Sequence, residues 1–327
     1  MVVGAPPPSN RGVQNALSYS SATNPCSPPA ALVDWCEWTE KEADVDAVCW
    51  SLGDQGTDVG RGMHGYRRAR RVGPLWVLYD GAVGMGVHVI ASGEGCRYLE
   101  ARSIGTAWTA FLQHVSTGSR SLSRLDVAID DHRGVIATNG CIDAVQRGDA
   151  VTRWKKYRVM RSATMAGVDL GVTLYLGSAS SDTQMRIYDK AAETGTEGPW
   201  TRVEMETRDE RAQMLAGRLV DQGMTGAAAV VRSYLDFREG SRDARDRDRC
   251  RAVPWWGEFL GWVAAQPLGT EPAEPQTVER KVSALAAQYG PTMGVIAEVL
   301  GYAALVEVAD AGRARWRESH RHLIRAG

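Results

Sequence analysis

Residues 171–207 read GVTLYLGSASSDTQMRIYDKAAETGTEGPWTRVEMET, and three pieces of this stretch predict strands. Gly171 to Leu176, Gln184 to Asp189 and Thr201 to Thr207 are short apolar or alternating runs separated by Gly/Ser-rich turns. The same pattern extends upstream. Ser123 to Asp130 (SRLDVAID) is a strand bounded by turn residues Asp131 to Gly134. Tyr157 to Met160 and Ala31 to Thr39 (ALVDWCEWT) have strand character, and Gly73 to Ser92 reads as strand, turn, strand. Helices are expected over Glu40 to Trp50, Gly105 to Gln113, Asn139 to Arg147 and Arg208 to Asp221. Strands joined by tight turns with helices interspersed predict an α+β fold, an antiparallel sheet with helices on one face. Regular βαβ alternation and a GxGxxG fingerprint are both missing, which argues against a doubly wound nucleotide-binding sheet.

The chain has 327 residues, 44% hydrophobic and 24% charged, enough to bury a sizeable core. The formal net charge of -1 does not advertise a nucleic-acid partner, yet a local basic groove can coexist with an acidic body. The six cysteines form no CxxC pair and show no zinc-finger spacing, so they read as reduced thiols of a cytoplasmic protein. No apolar run is long enough to span a bilayer, and no membrane partner is expected. Residues 1–30 read as a disordered Pro/Ser-rich tail without a signal pattern. The main domain is expected over residues 31–235 and a charged, Pro-rich linker region over 236–277. A helical C-terminal region, interrupted at Gly290-Pro291, is expected over 278–327.

In a strand, alternate side chains share a face. This groups Arg186 with Tyr188 and Lys190, Arg202 with Glu204 and Glu206, and Asp126 with Ala128 and Asp130. Charges on one face of three strands are costly unless that face lines a wet site. A tyrosine, several carboxylates and several cations are the equipment for phosphoryl transfer through a tyrosyl intermediate with a divalent metal. A phenol ionises near pH ~10 and needs help from a base or nearby cations; Arg186 and Lys190 flank Tyr188 in that role. A hard ion held by carboxylates would polarise the phosphate. Residues two apart in a strand are ~6.7 Å apart and four apart ~13 Å, so Asp126 and Asp130 cannot easily share one ion. Asp126 is preferred over Asp130, and Glu204 over Glu206; His88, in GVHV, suits a neighbouring position. The competing reading is structural: a core tyrosine with a tethered hydroxyl, solvent-facing carboxylates and a satisfied buried histidine.

Four blocks of the chain resemble the plasmid and phage replication initiation factor family. They are GMGVHVIASGEGCRYLE (84–100), SRLDVAIDD (123–131), LYLGSASSDTQMRIYDKAAE (174–193) and WTRVEMETR (200–208). They occur in the family's order within residues 31–235. The resemblance implies a catalytic sheet similar to that of HUH nucleases, although a literal His-hydrophobic-His motif is missing. It implies that Tyr188 is the nicking tyrosine, with the carboxylates of SRLDVAID and RVEME beside it around a Mg or Mn ion. The function implied is rolling-circle initiation: one origin strand is nicked, leaving a 5′-phosphotyrosine link and a free 3′ hydroxyl. The partners implied are single-stranded or cruciform origin DNA, with a host helicase and a second copy of the chain as further possibilities. A conjugative relaxase with the same chemistry and a non-cutting origin or operator-binding protein are the alternatives. Under this reading Arg67, Arg68, Arg70 and Arg71, beside Arg61 and Tyr66, suit a DNA backbone with unstacked bases nearby. So do Arg153, Lys155, Lys156, Arg158 and Arg161 around Trp154 and Tyr157. The plainer alternative for both clusters is a solvated sheet edge.

Overall fold

Alternate residues of the 124–130 segment part company. Leu125, Val127 and Ile129 enter the main apolar core, whereas Arg124, Asp126 and Asp130 lie on the opposite face. The computed structural model describes residues 31–104, 107–240, 249–268 and 278–313, together with Pro29, Trp316 and Ile324. Its strands are β1 (Leu32–Glu40), β2 (Thr57–Asp58), β3 (Arg68–Val72), β4 (Leu75–Tyr79), β5 (Val87–Ala91) and β6 (Arg120–Asp131). These are followed by β7 (Ala150–Thr152), β8 (Tyr157–Ala163), β9 (Asp169–Leu176), β10 (Thr183–Asp189), β11 (Thr201–Arg208) and β12 (Leu235–Phe237). Ten of the described strands form one sheet in the order β2-β3-β4-β5-β1-β6-β11-β10-β9-β8, and every pairing is antiparallel. Strands β7 and β12 pair separately.

The helices are α1 (Val45–Leu52), α2 (Gly93–Leu99), α3 (Trp108–Val115), α4 (Thr138–Arg147), α5 (Lys190–Thr194), α6 (Asp209–Gln222), α7 (Gly226–Tyr234) and α8 (Pro254–Phe259). All but α5 send side chains into the main core against one face of the sheet. In α6 the buried residues are Ala212, Leu215, Ala216 and Leu219, the three-and-four spacing of an apolar helix stripe. The other face carries a small apolar cluster of Tyr66, Ala69, Leu78 and Ile90. Trp35, Met63, Trp76 and Met85 pack against it, and toward β11 and β10 that face carries the charged residues. The expected α+β architecture, with helices gathered on one face of an antiparallel sheet, is the one observed.

Element boundaries moved for local reasons. Helix α1 begins at Val45 and not Glu40, because the Asp44 side chain accepts from the amides of Asp46 and Ala47 and caps it there. The LGS turn after β9 needs its glycine. Gly177 has φ +92, and a Cβ there would lie 2.8 Å from the Trp154 indole.

Part of the expected 236–277 linker belongs to the folded body. Trp256 is fully buried, and its Nε1 donates to the Leu235 carbonyl at 3.1 Å. Phe259 and Leu260 are buried beside it. The mixed-charge run around residues 241–248 and the Pro/Glu/Thr-rich break at 270–277 lie outside the described residues, as does the tail over 1–28. Contacts divide the chain into a unit ending at Leu268 and a second unit, Gly269–Gly327. The second unit contains α9 (Val278–Leu300) and α10 (Tyr302–Arg313). The expected break at Gly290-Pro291 does not occur. Pro291 lies inside α9, where it removes one backbone donor. The break comes at Gly301, where φ is +82. No described helix is long and apolar enough to cross a membrane.

Candidate active site

Strand register lays the polar face out in rows. One row crosses Arg158, Tyr175, Arg186 and Glu204, and the next crosses Thr173, Tyr188, Arg202 and Asp130. A third crosses Gln184, Glu206, Asp126 and Trp35. Tyr188 therefore stands on a central strand. Its hydroxyl donates to Glu204 Oε2 at 3.1 Å. It borders a cavity of about 190 Å³ shared with Arg186, Tyr175, Thr173 and Ser162.

Three arginines neutralise the carboxylates of this face. Arg186 pairs closely with Glu204 and lies 3.9 Å from Asp126. Arg124 grips Asp126 through Nε at 3.0 Å and Nη2 at 2.6 Å, and reaches Glu206 at 2.8 Å. Arg202 holds Asp130 with two bonds of 2.7 Å and Asp34 with one of 2.9 Å. Bidentate pairing of this kind fixes geometry as well as charge. Asp34 reaches Arg202 because the register of β1 slips between Val33 and Trp35. Such a slip re-aims a side chain without ending the strand.

Several sequence expectations change against this geometry. The Tyr188 pKa is not lowered as expected: burial, followed by the Glu204 charge, outweighs the neighbouring arginines and raises it well above the usual phenol range. Lys190 begins α5 after the Asp189 cap; its Nζ pairs with Glu193 at 2.7 Å and lies 5.6 Å from the Tyr188 ring centroid. The four expected metal ligands do not converge. Asp126 and Glu204 meet across Arg186, while Asp130 is occupied by Arg202. His88 sits on β5, four strands and about 19 Å from β10. It bonds Thr39 at 2.9 Å and approaches Glu37 at 3.5 Å. Among the described residues no group of three or more His, Cys, Asp or Glu is placed to hold an ion.

The basic clusters divide as well. Arg68 and Arg70 alternate with Ala69 of the polar-side cluster and so face the helices, where Arg70 pairs with Asp46 of α1. Arg68 pairs with Asp58 at 2.6 Å, Arg67 with Asp80 at 2.6 Å, and Arg71 stacks over Trp76 at 4.6 Å. Arg158 lies over Tyr175 at 4.6 Å on the Tyr188 face. Arg153 stands 5.9 Å from the Tyr234 ring, and Lys155 and Lys156 are exposed. Trp154 is a packing residue, donating to the Thr183 carbonyl at 3.2 Å. Sequence reasoning missed Arg124 and Asp34. Arg124 was readable, being two residues before Asp126 on the same strand face; Asp34 was not, because its aim depends on the slip in β1.

Residues 120–310, more than half of the chain, match the family described as replication initiation factor. The chain belongs to that family. It is 25% identical over 340 residues to the Bacillus subtilis (strain 168) protein named "Putative DNA relaxase NicK", covering 98% of this chain and 95% of that one. The solved rolling circle replication initiator protein from Geobacillus stearothermophilus is 30% identical. It superposes with a TM-score of 0.62, covering 74% of this chain and 99% of that chain. In this replication initiation factor the matched span begins at β6 and includes β10 and β11, the three strands that carry Asp126, Tyr188 and Glu204.

Burial raises the Asp126 pKa to about 7 against the pull of Arg124, and raises Glu204 as well. A carboxylate with a raised folded-state pKa binds its proton more tightly folded than unfolded, so stability grows as pH falls from about 7 toward 5. One such proton contributes a slope of at most about 1.4 kcal/mol per pH unit. Denaturant melts of this replication initiation factor at pH 8 and pH 5 are expected to show higher stability at pH 5. Asp126→Asn is expected to reduce that difference, and an unchanged slope would place the titration elsewhere.

Proposed function

We propose that the protein nicks one strand of origin DNA by attack of the Tyr188 phenolic oxygen on a phosphodiester. The observation that carries this reading is the hydrogen bond from Tyr188 to a buried carboxylate at the edge of a cavity that Arg186 also lines. The Tyr188 Oη–P bond forms as the P–O3′ bond breaks. Glu204 Oε2 takes the phenolic proton, and the departing 3′ oxygen is protonated from solvent. The products are a 5′-phosphotyrosine and a free 3′ hydroxyl. The raised proton affinity of Glu204 suits a base that must accept from a phenol. Arg186 holds Glu204 in place and offers positive charge to the phosphate as negative charge develops on it. Family membership and the named relatives support DNA as the substrate.

A Mg or Mn ion is what the family resemblance implies, and oxygen-rich Asp126 and Glu204 have the right donor chemistry. Their arrangement does not fit a ready ligand set. Both are already compensated by arginines, and neither Asp130 nor His88 joins them. Charge on this face is carried by Arg124, Arg186 and Arg202.

Incubation with supercoiled DNA carrying the sequence around the protein's own gene tests the reading. Open circles with protein attached at Tyr188, mapped by mass spectrometry, are expected. Binding without cleavage would favour a non-cutting DNA-binding protein. The likeness to a protein named as a DNA relaxase, which spans nearly the whole chain, favours the relaxase alternative as the biological setting, with the same chemistry. Exposed Lys155 and Lys156 precede β8 and are expected to track phosphates. Replacing both by Ala should lower the slope of log affinity against log salt by roughly 1.4 to 1.8. It should weaken specific and random DNA alike. A slope unchanged within error would make the pair a solvated edge.

A further inference from the structure

A second cavity, about 270 Å³, opens on the face that carries Tyr188, around residues of β1, β5 and β6. On its wall is Glu37, whose Oε1 accepts from Trp35 Nε1 at 2.6 Å and whose Oε2 lies 3.5 Å from His88 Nε2. His88 is itself fixed by Thr39 at 2.9 Å and stacked on Tyr66 with ring centroids 6.0 Å apart. Tyr66 is anchored through its hydroxyl to the Met85 carbonyl at 3.0 Å. The Glu37 carboxylate is thus locked in one orientation with 18% of its side chain exposed. Burial opposes its ionisation, but the bonds from His88 and Trp35 and the Arg124 charge outweigh that and lower its pKa. Each of its oxygens keeps a lone pair for a further donor. At the mouth stands Arg208, 43% exposed, already bonded to Glu206 at 2.7 Å.

The backbone around this cavity is unusual. Among the described residues four non-glycines have positive φ, and two of them, His64 (φ 53) and Asp209 (φ 48), line it. Backbone outliers of this kind collect at ligand clamps. Tyr66, His88 and Glu37 are not used by the nicking chemistry, so a preorganised polar pocket stands beside the site without a task in it.

We propose that this cavity receives one unstacked guanine of the DNA strand that runs to the nick, which deepens the nicking reading and rests on it. A fixed carboxylate asks for two adjacent donors, and the Watson–Crick edge of guanine supplies them in N1–H and the N2 amine. Adenine and cytosine each place a ring acceptor beside their single amine, and thymine flanks its one N–H with two carbonyls. Each of these would set an acceptor against the carboxylate, an uncompensated contact that costs affinity. Arg208 at the mouth suits the neighbouring phosphate, which positions the strand while Glu37 reads the base.

The test uses the full chain and oligothymidylate about twelve nucleotides long, with a single dG, dA or dC placed at each position in turn and binding read by fluorescence anisotropy. Wild type is expected to favour dG at one position by about tenfold, the scale of one bidentate base contact. Glu37→Gln should collapse that preference without weakening the binding of plain oligothymidylate, whose thymines gain nothing from the carboxylate. Inosine at the preferred position, which lacks the N2 amine, should lose the preference with wild-type protein, so the test does not depend on the variant folding. No preference in wild type, or a preference retained by Glu37→Gln or with inosine, would overturn the pocket. Nicking without guanine preference overturns the pocket alone. Guanine preference without any nicking or tyrosine adduct overturns the nicking reading and leaves the pocket standing.

Discussion

Tyr188→Phe is expected to abolish nicking and covalent attachment while leaving DNA binding and the fold nearly intact. The substitution deletes one oxygen, the one that donates to Glu204 at 3.1 Å. Loss of a covalent nucleophile lowers turnover by on the order of 10⁴-fold or more. The structural cost is small, because Glu204 keeps its ion pair with Arg186 and the ring keeps its packing. One hydrogen bond to a charged group amounts to about 1.5–3 kcal/mol. Open-circle formation and a phosphotyrosine adduct, measured beside anisotropy on the same DNA, separate the two effects. Full nicking by the variant would remove Tyr188 from the chemistry and move attention to Tyr175, its neighbour across the same cavity.

The largest loss of stability is expected from Arg186→Met. Glu204 and Asp126 are respectively 4% and 0% exposed at their side chains, and Arg186 is a shared counter-ion. Removing one partner of a buried pair leaves charge without compensation, at a cost of about 3–5 kcal/mol. The deficit depends on pH with a definite sign. At pH 8 Asp126 is ionised and the full cost is present. As pH falls below about 7 Asp126 takes up its proton, and the variant regains part of the deficit. Urea melts at pH 8 and pH 5 read this directly. Adding Glu204→Gln to Arg186→Met should restore stability but not nicking, since it removes both the stranded charge and the proposed base. Equal deficits at the two pH values would mean that the arginine contributes by packing alone.

The central strands were legible because their alternation is clean. In RVEMET the residues Val203, Met205 and Thr207 go inward while Glu204 and Glu206 go outward, and the register with SRLDVAID follows. Grouping Arg186, Tyr188 and Glu204 on one face needed only that alternation. What each carboxylate would bond was not legible, because period-two spacing names a face and not a partner. Glu204 went to Arg186 and Tyr188, Glu206 to Arg124 and Arg208, and Asp130 to Arg202. Two stretches misled for physical reasons. RRARR at 67–71 reads as a basic patch, but in a strand its arginines point to both faces and find nearby carboxylates and rings. The apolar run AAAVV at 227–231, which carried no helix expectation, is a helix buried on nearly every side, and such a helix shows no polar stripe.

The place of β10 in the sheet has a consequence for when the protein opens. Tyr188 and Glu204 belong to adjacent strands with six strands on one side and two on the other, each ladder protecting the next. Segments of that kind exchange their amide hydrogens only through the largest unfolding events, while edges exchange through local fraying. The amides of residues 185–188 and 203–206 are therefore the ones expected to retain protons longest in deuterated water, outlasting those of β2 and β8 at the two rims. As the proposed nucleophile, Tyr188 is carried by the segment expected to open last, and the motion that admits DNA is expected from the strand rims and the surrounding loops.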